Sequence, residues 1–427
     1  MAAIKTVGRP RTQWGSRSRI LAGLQALQTL SGLAGQFFLL ARWSPHPHTD
    51  FFLVVSSVPW FITSGLLLSG LEMALPAFYH QAHQQGNKTR DGFVSGITII
   101  VTLLSILGGL LSMAIVSIWA AWSGLSLALS LWLGLALGAQ IIPAALGGLW
   151  RGILMAEDQL VQIRLALLGG STLTTAGYAL LPGSPGTVLP LVTLVAATLV
   201  AFQCAVFAHN LKIWPSSATV SQPSTNIKPL FGALATLSLA AGVNHLQILV
   251  ERAAMVQFGT GQVTAFAVAS RGWEALLAII VAAAVLPVYP QWSTGTDDHS
   301  GPLLRWSHVR ATGYGLVAGM IVGTLAAGVL RGDLLDWKSG KETLSMTIVL
   351  LPRFVLLVSL QPLVLMHYAE GKPAWPLLGA ATGLLLTALG ALFLIPHLGH
   401  IGVALTTSVS VLPGWVILAW RIRKRFP

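Results

Sequence analysis

Twelve apolar stretches, at about 19–42, 50–76, 93–121, 124–150, 160–182, 188–211, 229–251, 263–289, 306–331, 344–367, 374–396 and 399–420, occupy most of this 427-residue chain. Each is long enough to cross the hydrocarbon of a bilayer, which takes ~20 residues of helix. In that medium every backbone N–H and C=O must find its partner within the segment, so the spans are helices. Composition agrees: 54% of the residues are hydrophobic, 9% are charged and the mean hydropathy is +0.74, where an average soluble domain is ~25% charged. What the spans leave over suffices for loops and tails. The expected fold class is an all-α polytopic membrane protein with about 12 transmembrane helices.

Lysine and arginine exceed aspartate and glutamate by 25 to 13, a formal net charge of +12. On a soluble protein such an excess points to nucleic acid, but here its location argues otherwise. An even number of crossings returns both termini to one side. On that side fall seventeen of the cations, including the tail Arg421, Arg423, Lys424 and Arg425, whereas Arg42, Arg252, Arg331, Lys338 and Lys341 make five on the other. Retention of cations on the inner side then predicts cytoplasmic termini, with no nucleic-acid partner. The lone cysteine, Cys204, sits in an apolar run and offers no disulfide framework. The N-terminal segment is basic and polar, without a clear cleavage site after its first apolar stretch, and reads as no cleaved signal peptide.

The two halves repeat. Leu75-Pro76 closes span two and Leu286-Pro287 closes span eight, 211 residues later. Met155-Ala156-Glu157 precedes a Gly-rich helix ending at Leu181-Pro182, and Tyr368-Ala369-Glu370 precedes one ending at Ile395-Pro396, at offsets of 213 and 214. These point to two copies of a six-helix unit, related by an axis along the membrane normal. The expected organisation is a basic tail at 1–18, an N-lobe at 19–211, a linker at 212–228, a C-lobe at 229–420 and a basic tail at 421–427. Two lobes that can rock about a shared cavity describe a transporter.

Ionised side chains are costly in hydrocarbon, so those within spans carry the information. Arg271, between Ser270 and Gly272 in span eight, has small neighbours that leave a guanidinium accessible from a cavity. Its planar fork suits phosphate or carboxylate. Glu274, three residues on, lies on the same helical face and could instead neutralise it. Arg353, after Pro352 in span ten, is a second candidate for the cavity, while Arg164 lies one turn into span five and can snorkel. Glu251 closes span seven beside Arg252, with Asn244 seven residues earlier on the same face. A carboxylate with amide oxygens can carry a coupling cation, sodium or a proton; an interfacial Glu251–Arg252 pair is the other reading. Asp50 stands where a carboxylate caps a helix N-terminus. No Gly-rich phosphate loop ending in Lys-Ser or Lys-Thr and no HExxH helix occur, so no enzyme and no cofactor are expected.

Two segments carry a family resemblance. Thr49-Asp50-Phe51-Phe52 runs through Pro59 to Leu75-Pro76, and Glu251-Arg252 leads through Gly259-Thr260-Gly261-Gln262 and Ala269-Ser270-Arg271 to Leu286-Pro287. Together with Leu398-Gly399-His400-Ile401-Gly402 they resemble the MurJ/MviN group of lipid II flippases, within the superfamily that holds polysaccharide flippases and MATE drug exporters. The resemblance implies two lobes working by alternating access, an anionic lipid-linked glycan as substrate, and cavity arginines gripping its pyrophosphate. Arg271 matches the family arginine of span eight, Gln36 stands where span one would carry another, and Thr63 or Ser64 where span two would. It also implies a sodium site on spans seven, eleven and twelve, for which Thr387 is a candidate ligand. The expected reading is a monomeric flippase of a polyprenyl-pyrophosphate-linked saccharide, with Arg271, Arg353, Glu274 and Gln36 at the substrate and Glu251, Asn244 and Thr387 at the coupling ion. A MATE-like exporter of small amphipathic cations is the alternative, and cavity charge separates the two.

Overall fold

The computed structural model describes residues 11–65, 71–213, 227–285, 297–332, 338–369, 372 and 374–425. Their regular structure is helical throughout, and it reproduces the twelve crossings in order. The first half comprises α1 (Arg11–Trp43), a second crossing divided into α2 (Pro47–Val55), α3 (Ser57–Gly65) and α4 (Leu71–Gln84), then α5 (Asn87–Trp122), a fourth crossing divided into α6 (Leu127–Ala139) and α7 (Ile141–Ala156), α8 (Leu160–Leu180) and α9 (Pro185–Asn210). The second half comprises α10 (Ile227–Met255), α11 (Gln262–Ala284), α12 (Asp297–Arg331), a divided tenth crossing of α13 (Lys338–Val349) and α14 (Leu351–Ala369), α15 (Ala374–Val409) and α16 (Leu412–Arg425). Inside α15 the chain turns at Gly399, where φ is +55°. Crossing eleven ends there, and the remainder of α15 with α16 makes crossing twelve.

Seven of the described segments are long and apolar enough to cross a membrane by themselves. Large apolar side chains stand exposed along them, as Leu103, Leu107, Leu110 and Ile118 do on α5. A face like that is stable only against lipid tails, so the chain is a multi-pass membrane protein. Lipid is as apolar as leucine and gives helices no hydrophobic reason to associate, so contact relies on close backbone approach. A Cβ on Gly138 would lie 2.5 Å from the carbonyl oxygen of Gly109, which fixes α6 on α5. A Cβ on Gly379 would lie 2.7 Å from the Cα of Gly414, which fixes α15 on α16.

The breaks inside crossings two, four and ten share one cause. Pro59, Pro143 and Pro352 each sit two or three residues past the break, in the first turn of α3, α7 and α14. Proline is accepted there, because the missing N–H would have had no partner, while the carbonyls of the preceding turn lose theirs. Discontinuous helices of this kind build substrate and ion sites at mid-membrane.

Helices α1–α9 pack largely with one another, and so do α10–α16. Between the two sets the main seam joins α3 to α10, with lesser contacts of α2 to α10 and α11 and of α1 to α11. The linker at 214–226, both chain ends, and the Leu286-Pro287 and Glu370-Gly371 motifs lie outside the described residues, as does the side chain of Glu72.

Two sequence expectations need correction. Helices overrun the apolar stretches at the terminus end, with α1 starting at Arg11, α5 at Asn87 and α12 at Asp297, because hydropathy marks only the part in hydrocarbon and the polar turns continue into water. The repeat helices also end differently: α8 stops at Leu180, before Pro182, whereas α15 continues through Pro396 and turns only at Gly399.

Candidate functional site

A cavity of about 730 Å³ is walled mostly by helices of the first half and bounded on the other side by His245 and Arg252 of α10 and Ala267 and Arg271 of α11. Its wall includes Gln28 and Gln36 of α1, Gln140 at the α6–α7 break, Arg151 of α7, Arg252 of α10 and Arg271 of α11. Among the described residues, three arginines and no carboxylate line it, which gives it a positive potential and fits it to an anion. Beside it, an opening of about 350 Å³ between α1 and α11 is lined by Thr29, Gln36, Arg271 and Glu274. The same stretch of α1 turns Leu27, Leu30 and Phe37 outward, so Gln36 and Arg271 stand where a polar cavity meets the lipid-facing surface.

Arg271 and Glu274 are thus brought to one place, with Gln36 beside them. The guanidinium donates to the Glu274 carboxylate at 2.7 Å, and the two side chains remain 52% and 47% exposed. Pairing and cavity access, opposed in the sequence, hold together here: a half-exposed arginine keeps other N–H donors for a ligand.

Arg353 does not line this cavity. Its guanidinium donates at 2.6 Å to Glu251, the carboxylate 2% exposed and the arginine 16%. Gln247, one turn before Glu251, donates to the other carboxylate oxygen and to the Ser410 hydroxyl, each at 3.1 Å. The expected grouping is redrawn accordingly. The partners of Glu251 are Arg353 and Gln247, while Asn244 is exposed and Thr387 is buried in α15 with its hydroxyl unbonded among the described residues. Seven residues do return a helix to one face, but what covers that face changes over two turns, so Asn244 and Glu251 meet different surroundings.

Arg252 has a larger role than its place at a span end indicated. It is buried and crosses the seam to the broken second span, donating to the Leu53 carbonyl at 2.6 Å and the Ser57 hydroxyl at 3.1 Å. Leu53 is in the last turn of α2, where the break at Ser56 releases carbonyls, and the guanidinium satisfies one. Asp50 makes the matching bridge. As expected it caps a helix, though not its own: its carboxylate accepts from the Thr264 N–H at 2.9 Å, the Thr264 hydroxyl at 2.6 Å and the Gly261 N–H, at the start of α11. Both bridges tie the halves together at the end opposite the termini. The nearby His46 and His48 rings pack edge to face at 4.9 Å, and no group of three metal-ligating side chains occurs among the described residues.

No family model matches the sequence, and no characterised protein matches it at the sequence level. Solved structures do resemble the fold. A lipid II flippase, MurJ, in an inward closed conformation superposes with a TM-score of 0.71 at 14% identity, over 94% of this chain and 87% of that one. An inward-facing multidrug resistance MATE transporter of the MOP superfamily gives 0.70 at 14% identity, over 96% and 98%. The Vibrio cholerae MATE transporter VcmN in its bent form gives 0.64 at 15% identity, over 97% and 99%. The fold of this chain is that of the MOP transporters, two six-helix lobes around a central cavity.

Proposed function

We propose that this protein is a flippase, moving a polyprenyl-pyrophosphate-linked saccharide across a bacterial-type inner membrane by alternating access, as a monomer with both termini cytoplasmic. The cavity wall carries this reading: among the described residues it holds three arginines and no carboxylate, where an exporter of amphipathic cations needs the reverse. The side opening between α1 and α11 supports it, because a head group can lie in the cavity while its tail stays in lipid. No covalent step is needed for such a movement.

The transport cycle follows from the bridges. With Asp50 and Arg252 holding the halves together at the far end, the cavity receives the diphosphate from the terminus side, and Arg271 grips it through forked, charge-assisted hydrogen bonds. The halves then part where they were joined. An interior-negative potential favours outward movement of an anion by ~2.3 kcal/mol per charge for each 100 mV. That bias needs no coupling cation at Glu251, whose carboxylate already faces a tethered one in Arg353.

The decisive experiment reconstitutes the protein in vesicles with lipid-linked saccharide and scores head-group access to a membrane-impermeant hydrolase. The parent should expose the inner-leaflet pool, and empty vesicles should not. Equal exposure in the two would end the flippase reading. Orientation is checked by Lys88→Cys and Lys338→Cys in a Cys204→Ser background, both positions being exposed. Only the second should label from outside intact cells.

A further inference from the structure

The cavity holds features that a diphosphate does not use. Trp60 of α3 is 46% exposed and lines it, and its ring stacks on His245 of α10 with centroids 6.2 Å apart and planes at 20°. One ring comes from each half, so the stack spans the seam. On the wall supplied by the first half, Gln140 is only 5% exposed, yet its side-chain oxygen has no hydrogen-bond partner among the described residues. The side-chain oxygen of Gln28 is buried and unpartnered as well, while Ser171 bonds the Gln28 backbone carbonyl at 3.2 Å and ties α8 to that turn. Leaving a buried amide oxygen unbonded costs free energy; both residues line the cavity, and a turn of either side chain toward it would let a ligand's O–H group supply the missing bond.

An aromatic platform beside neutral amides has a chemical counterpart. A pyranose ring offers an apolar C–H face to stack on an indole and a rim of hydroxyls that donate to amide oxygens. A cation would also be drawn to the Trp60 face, but Arg252 and Arg271 line the same space and repel it. Volume agrees, because about 730 Å³ lies within the ~300 to 1,000 Å³ of ordinary ligand pockets and accommodates a head group without a polyprenyl tail.

We propose that Trp60 and His245, together with Gln28 and Gln140, form a saccharide subsite that reads the sugar attached to the diphosphate. This rests on the flippase reading and adds to it a specificity-determining site apart from the arginines. Since Trp60 and His245 belong to different halves, the platform is whole only while the seam is closed. Rocking of the halves takes it apart and releases the sugar on the far side.

The test is calorimetric titration of the full-length protein in detergent with two probes, farnesyl diphosphate and the same diphosphate bearing N-acetylglucosamine. Stacking and two hydrogen bonds should make the parent prefer the sugar-bearing probe about 10- to 100-fold. Trp60→Ala and Gln140→Leu should each reduce the preference, and the double variant should abolish it while leaving the affinity for farnesyl diphosphate unchanged. Arg271→Ala should weaken both probes in parallel. A double variant that keeps the preference overturns the subsite, as does a parent that binds the two probes equally; either result leaves the flippase reading standing. A parent that binds neither probe overturns both. Tight binding of tetraphenylphosphonium, lost in Trp60→Ala, would make the platform a cation site and overturn the saccharide assignment. Gln140→Leu replaces an amide whose oxygen is unbonded with an apolar side chain of similar size, so it should fold and report even if Trp60→Ala does not.

Discussion

Two arginine–glutamate pairs stand in the second half of the chain, alike in length and unlike in everything else. Arg353–Glu251 is closed at 2.6 Å inside the lobe, and Arg271–Glu274 at 2.7 Å on the border of the cavity and its side opening. The first joins α14 to α10, is nearly sealed from water and has Gln247 as a further partner. The second joins residues one turn apart on α11 and is half exposed. Burial turns the same chemistry into two devices. An enclosed pair holds helices in place because neither charge can be left alone, whereas an exposed pair contributes little to stability and its arginine stays available.

The sharpest way to break this comparison is to remove one partner of the enclosed pair. Arg353→Ala leaves Glu251 buried without its counter-charge and should destabilise the protein by ~3 to 5 kcal/mol. Thermal melting of the purified protein in detergent should show a large downward shift, and Glu251→Gln a smaller one. The double variant Arg353→Met with Glu251→Gln should melt close to the parent, since a buried pair replaced by apolar or neutral groups is often no less stable. If Glu251 instead carries a transported cation, the double variant would be stable and lose a dependence on sodium or pH that the parent shows.

Asp50 comes next in size. Its carboxylate caps α11 across the seam, and losing a cap costs ~0.5 to 2 kcal/mol. Because these bonds exist only while the far end is closed, Asp50→Ala should shift the conformational equilibrium by about tenfold for each 1.4 kcal/mol lost, toward opening at that end. Spin-label distances between the starts of α2 and α11 would register this as a longer population. Asn retains an acceptor and should fall between. An unchanged distribution would make the bridge incidental.

Much of this was readable in advance, and the limits have physical causes. Apolar runs located all twelve crossings, since exclusion of water from the backbone is a property of each segment alone. Span five, read at 160–182, is α8 at Leu160–Leu180, and span six, read at 188–211, is α9 at Pro185–Asn210. The apolar runs pass over the breaks beside Pro59, Pro143 and Pro352, and which side chain fills a released carbonyl is decided between segments. Arg252 reaches Leu53 from 199 residues away. The Asp50 bridge was more accessible than that. Residues near a two-fold axis meet their own repeat mates, and Asp50 bonds Gly261 across 211 residues, the offset already present in the Leu-Pro repeat. The lining glutamines carried no comparable signal, since a glutamine in a span looks the same whether it faces a cavity or a neighbouring helix.

The smallest expected effect on stability belongs to the other pair, and there the comparison becomes a functional test. Arg271–Glu274 is half exposed, so Arg271→Ala should lower stability by only ~0.2 to 1 kcal/mol, the usual worth of an exposed pair. Transport should respond quite differently. Two forked bonds to a diphosphate, each contributing ~1.5 to 3 kcal/mol, are lost with the guanidinium, so flipping in vesicles should fall by orders of magnitude. Arg271→Lys keeps the charge without the fork and should retain part of the activity. Glu274→Ala removes the partner and leaves the arginine half in water, where it costs little, so flipping should persist. If the pair matters only as a pair, Arg271→Ala should melt well below the parent and the Arg271→Ala, Glu274→Ala double variant should recover both stability and flipping. A double variant that flips like the parent would remove Arg271 from the substrate site. One that is stable and inactive would leave the guanidinium as the group that grips the diphosphate.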